Sequence, residues 1–71
     1  MAQEIVSDLV ANVWRIVVAQ GDAVAAGDTI AILESMKMEI PVLAEAGGTV
    51  LELKVSEGDV VQEGDVLAIV G

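Results

Sequence analysis

An all-β fold is what this sequence predicts: a flattened antiparallel β-sandwich or barrel made of two repeats related by an approximate two-fold axis. Three observations carry it. Residues 13–34 read VWRIVVAQGDAVAAGDTIAILE and residues 50–71 read VLELKVSEGDVVQEGDVLAIVG, so the chain repeats itself at an offset of 37. Each copy contains two Gly-Asp dipeptides, at 21–22 and 27–28 and again at 58–59 and 64–65. Between them the chain is rich in Val and Ile and shows no sustained helical period, a composition suited to pleated surfaces.

The elements follow in chain order. Ile5 and Val6 align with Val42 and Leu43, so each unit opens on a short apolar stretch. Trp14, Ile16 and Val18 then alternate with Arg15 and Val17, as Leu51, Leu53 and Val55 alternate with Glu52 and Lys54. That period of two is the signature of a half-buried strand, and it predicts that Trp14, Ile16 and Val18 point inward. The Gly-Asp pairs punctuate the strands as turns: glycine supplies the positive φ, and the aspartate can accept from nearby backbone amides. A strand near 29–34 and another near 39–44 flank the linking segment 35–39, which makes a hairpin with Lys37 at its tip. Neither unit can bury its apolar face alone, so the two must pack on each other.

Composition narrows the function. A chain of 71 residues is one domain, spanning 1–71, with a thin core. It has no Cys and no His, which removes a cysteine nucleophile, a Ser-His-Asp triad and a His-based metal site. We therefore expect no catalytic residues, no metal and no self-sufficient enzyme. The formal charge of −9 argues against nucleic acid and anionic membranes, which need cationic clusters. No apolar run approaches the roughly 20 residues of a membrane span, and no signal peptide opens the chain. The lack of disulfides fits a reducing compartment, and the expected location is the cytoplasm. A monomer is expected, either as a complete small protein or as a cleanly cut domain.

The chemistry concentrates at the hairpin tip, within Glu34-Ser35-Met36-Lys37-Met38-Glu39-Ile40-Pro41. Arg15, Lys37 and Lys54 are the only cationic side chains, so covalent chemistry on a side-chain amine has two candidates. Short hairpins favour Asn-Gly or Asp-Gly, because primed turns need positive φ. Met-Lys helps such a turn in no obvious way. Methionine in a small domain ordinarily fills a core, and lysine on a hairpin ordinarily solubilises an edge. Lysine between two methionines, at the junction of a two-fold repeat, fits neither role.

The segment Glu34-Ser35-Met36-Lys37-Met38-Glu39 resembles the attachment motif of biotin carboxyl carrier domains, whose core is Ala/Ser/Val-Met-Lys-Met. The Gly-Asp-x-Val-x-x-Gly-Asp turns and the Ile40-Pro41-Val42-x-Ala44 run resemble the same biotinyl/lipoyl-attachment family, and the likeness covers essentially the whole chain. The chain looks most like the stand-alone members of that family. The resemblance implies the barrel-sandwich hybrid fold and a non-catalytic carrier. Lys37 would accept biotin from a biotin protein ligase and act as a swinging arm. The carried carboxyl would pass between biotin carboxylase and carboxyltransferase subunits. Met36 and Met38 would serve handling of the group by partner enzymes, and Glu34 and Glu39 would serve ligase recognition. An exposed ammonium is a poor nucleophile, so the ligase must supply the base.

Two alternatives stand beside that expectation. Lipoate could be attached to the same lysine, although lipoyl domains generally show Asp-Lys-Ala at the tip. The chain could also be an unmodified structural or interaction module, as in efflux-pump adaptors, which insert a long helical hairpin where this chain has a few residues.

Overall fold

Eight short strands build the molecule in the computed structural model, which describes residues 2–71, and no helix occurs among the described residues. In chain order they are β1 (Gln3–Val6), β2 (Ala11–Ile16), β3 (Ala23–Val24), β4 (Thr29–Ser35), β5 (Met38–Leu43), β6 (Gly48–Leu53), β7 (Val60–Val61) and β8 (Val66–Val70). They form two four-stranded antiparallel sheets, ordered β1-β8-β6-β3 and β5-β4-β2-β7. The offset of 37 carries one sheet onto the other: β1 corresponds to β5, β2 to β6, β3 to β7 and β4 to β8. The all-β two-fold sandwich read from the repeat is the fold observed.

The backbone obeys the same symmetry outside the strands. Gly21 N–H donates to Val50 O at 2.7 Å, and Gly58 N–H donates to Val13 O at 2.8 Å. All four turn glycines have positive φ, at 93°, 89°, 94° and 90° for Gly21, Gly27, Gly58 and Gly64. The following aspartates each accept a backbone N–H from three residues upstream: Ala19 to Asp22, Ala25 to Asp28, Ser56 to Asp59 and Gln62 to Asp65, at 2.8–2.9 Å. The Gly-Asp pair is thus one turn device used four times.

Two small cores fill the interior. One contains Val24, Ile30, Val50 and Val70; the other contains their partners at the offset, Val61, Leu67, Val13 and Leu33. Each core draws two of these residues from each repeat, so a single repeat holds no complete core. Burial of apolar surface, the main driving force, therefore exists only in the assembled pair.

Of the three residues expected to point inward, Ile16 and Val18 do: both are half-buried and pack against the cores. Trp14 needs correction, since it is 43% exposed and Val13 is the buried residue. The β2–β4 register shifts between Val13 and Arg15, leaving Trp14 as the extra residue of a β-bulge. An inserted residue flips the phase of a period-two strand. The β6–β8 register shifts likewise between Val50 and Glu52, leaving Leu51 48% exposed. Trp14 gains a partner outside the core: the Arg15 guanidinium lies 4.9 Å from its ring centroid.

Candidate functional site

The hairpin of β4 and β5 carries the site. Its pairs run Ile32↔Pro41, Leu33↔Ile40, Glu34↔Glu39 and Ser35↔Met38, which leaves Met36 and Lys37 as a two-residue loop. Both loop residues have positive φ, 52° for Met36 and 65° for Lys37. A two-residue loop with both residues left-handed is the type I′ arrangement that matches strand twist. For residues bearing a Cβ, that conformation costs about 1–2 kcal/mol each.

The stem sustains this strain. Leu33 is fully buried, and Ile40 packs against its core cluster, so the ladder is anchored three residues from the loop on each strand. A strand rises about 3.3 Å per residue, so the loop stands roughly 10 Å beyond that anchor. The result is a stiff stem with an exposed apex.

Each residue singled out in the sequence lies on this stem. Lys37 is exposed at the apex, between Met36 at 92% and Met38 at 63% exposure. Side chains this open contribute little to folding, so neither methionine is core filler. Glu34 and Glu39 are also exposed, and the register sets them directly opposite each other below the loop. Like charges in that position are mildly destabilising. The motif alone does not set the two glutamates face to face; their pairing follows once the loop is fixed at 36–37, because residues equidistant from a two-residue loop must pair.

The other cations are engaged. Lys54 Nζ lies 2.6 Å from Glu52 Oε2, and Arg15 stacks on Trp14. Among the described residues Lys37 is the cation with no ion pair and no aromatic partner. No group of three or more acidic side chains among the described residues could hold a metal ion. Chemically, the site offers one unengaged primary amine, held away from the body on a short stem and flanked by two flexible thioethers. An amine so placed can be acylated without disturbing the fold.

Known proteins match much of this chain, and a family model and solved structures match nearly all of it. Residues 3–70 match the biotin/lipoyl family, described as "Biotin-requiring enzyme". A biotinylated protein TB7.3 homolog from Mycobacterium leprae is 50% identical over 50 residues, covering 70% of each chain. The biotin/lipoyl attachment protein of Bacillus subtilis is 52% identical over 43 residues, 61% of this chain and 59% of that one. Among solved structures, the urea carboxylase of Kluyveromyces lactis superposes on 100% of this chain with a TM-score of 0.94 and 37% identity. This chain spans only 6% of that enzyme's length. A single-chain, multi-domain long-chain acyl-CoA carboxylase superposes with a TM-score of 0.90 and 26% identity, over 96% of this chain and 7% of the other.

Proposed function

This chain belongs to the biotin/lipoyl family, and on that premise we propose that it is a biotin carrier whose attachment point is Lys37. The observation that carries the proposal is the unengaged Lys37 at the apex of a strained two-residue loop, flanked by exposed Met36 and Met38. A carrier domain of this kind catalyses nothing itself. A biotin protein ligase recognises the hairpin, with Glu34 and Glu39 as contacts, and removes a proton from the ammonium. The freed Lys37 Nζ attacks the activated acyl carbon, the adenylate leaves, and an amide forms. The chain loses one positive charge, from −9 to about −10.

Biotin, once attached, carries CO2 on its ureido nitrogen. The protein's share is positioning. The lysine stem with its valeryl chain reaches roughly 14 Å. The buried Leu33 and its partner Ile40 keep the base of that arm from bending, so the sweep belongs to the arm alone. Met36 and Met38, unbranched and polarizable, give partner sites an adaptable apolar contact on both sides of the arm. The partners in this reading are biotin carboxylase and carboxyltransferase subunits, and the setting is the cytoplasm. The likeness to two carboxylases supports it. Lipoate is the second reading, because the Bacillus subtilis relative's name includes both groups.

Co-expression with a biotin protein ligase tests the proposal. Intact mass should show one biotinyl group per chain and avidin should bind it; Lys37→Arg should abolish both while remaining folded. An unmodified wild-type chain, or biotin persisting in Lys37→Arg, overturns it. A lipoate-specific blot decides the second reading.

A further inference from the structure

A groove of about 170 Å³ opens between the edge strands β1 and β5. That is well above the ~10–15 Å³ needed for one water. Its walls are matched at the offset of 37: Ile5 faces the groove with Val42, Val6 with Leu43, and Asp8 with Glu45. It therefore lies on the approximate two-fold axis. Val6 and Leu43 are 38% and 46% exposed, so the wall is apolar and open. Leu33 and Ile40, which anchor the Lys37 stem, also line it. The groove therefore begins at the residues that anchor the lysine stem and runs along β5 away from it.

Charge marks this face out. Asp22, Asp28, Asp59 and Asp65 are engaged in turns, Glu57 accepts from Ile16 N–H, and Glu52 pairs with Lys54. Among the described residues, the carboxylates with no such partner are Glu4, Asp8, Glu34, Glu39, Glu45 and Glu63. All but Glu63 rim the groove or stand on the hairpin. A second copy would set acid against acid across the axis. The face fits a partner that brings an aliphatic side chain flanked by Lys or Arg.

We propose that the β1–β5 groove is the docking seat of the ligase that modifies Lys37, which inserts a cation-flanked aliphatic segment there. This rests on the function proposed above. The sizes agree. A standard partner footprint covers about 800 Å² a side, a patch roughly 30 Å across. At about 3.3 Å per residue, Leu43 lies roughly 20 Å along β5 from Lys37, inside the same footprint. Rim charges act mainly on encounter and its salt dependence, whereas the chemistry at Lys37 is untouched.

The test is steady-state biotinylation of the full chain by a biotin protein ligase with biotin and ATP. Glu4→Gln with Glu45→Gln should raise KM for the carrier about five-fold, leave kcat unchanged and flatten the rise of KM with salt. Glu52→Gln with Glu63→Gln removes the same charge elsewhere and should move KM less than two-fold. Leu43→Ser should raise KM while keeping its melting transition. Equal KM in the two charge pairs, or a fall in kcat at constant KM, overturns the groove proposal alone. A wild-type chain that takes no biotin overturns the function and this inference together.

Discussion

The two poles of the sandwich are the same structure used in two ways. At one, β4 and β5 pair Leu33 with Ile40 and are joined by Met36 and Lys37. At the other, β8 and β1 pair Val70 with Gln3, the same positions at the offset, and no loop joins them. The Gln3 side chain holds this second pole to the body: Nε2 donates to Ala46 O at 2.9 Å, and Oε1 accepts from Glu45 N–H at 3.2 Å. Those residues lie past the end of β5 distant from Lys37, so the Gln3–Val70 pair and the lysine occupy opposite ends. The unlinked pole teaches that this strand pair closes without a turn. At the lysine pole the same pairing is closed by Met36 and Lys37, both exposed.

The sharpest way to break the comparison is through the cores. Ile30 and Leu67 are equivalent, each 1% exposed, one in the core at the chain-end pole and one in the core at the lysine pole. Ile30→Ala and Leu67→Ala should each cost about 2–5 kcal/mol, and by similar amounts, in urea melts. Losses differing by more than a factor of two would mean the poles are alike in shape but not in energy.

A smaller effect, of opposite sign, tests the loop. Replacing Met36 and Lys37 with Asn and Gly supplies the residues a type I′ turn prefers. The double variant should gain about 1–2 kcal/mol, read as a rise of several degrees in Tm, and should accept no biotin. A drop in stability would show that Met36 or Lys37 supports the fold after all. The smallest effect concerns the repeated turns. Asp28→Ala and Asp65→Ala each remove one side-chain acceptor at equivalent places and should each cost about 1 kcal/mol. Unequal costs would locate an asymmetry the backbone does not display.

Much of this was legible in the sequence because it rests on local rules. The Gly-Asp pairs had to be turns, since positive φ and a short acceptor side chain are properties of those residues. Lys37 had to be at a tip, since the strands on either side leave only a short link. The outward turn of Trp14 is not legible locally, because a bulge is set by pairing with another strand. Val13 and Trp14 look interchangeable as core residues until the β4 register assigns one inside and the other out. The groove was not visible either: Val6 and Leu43 are far apart in the chain and meet only across two sheet edges.

The sequence by itself determined the repeat, the all-β class, the turn positions and the one lysine between two methionines. The turns and the lysine motif depend on residue type and on spacing within a few positions, and the repeat on an offset of 37. The tertiary structure alone decided which face Trp14 and Leu51 take, and that β1 and β5 leave an acid-rimmed groove. Those features depend on strand register and sheet stacking, which are fixed when the two halves bury their shared cores and by no residue on its own.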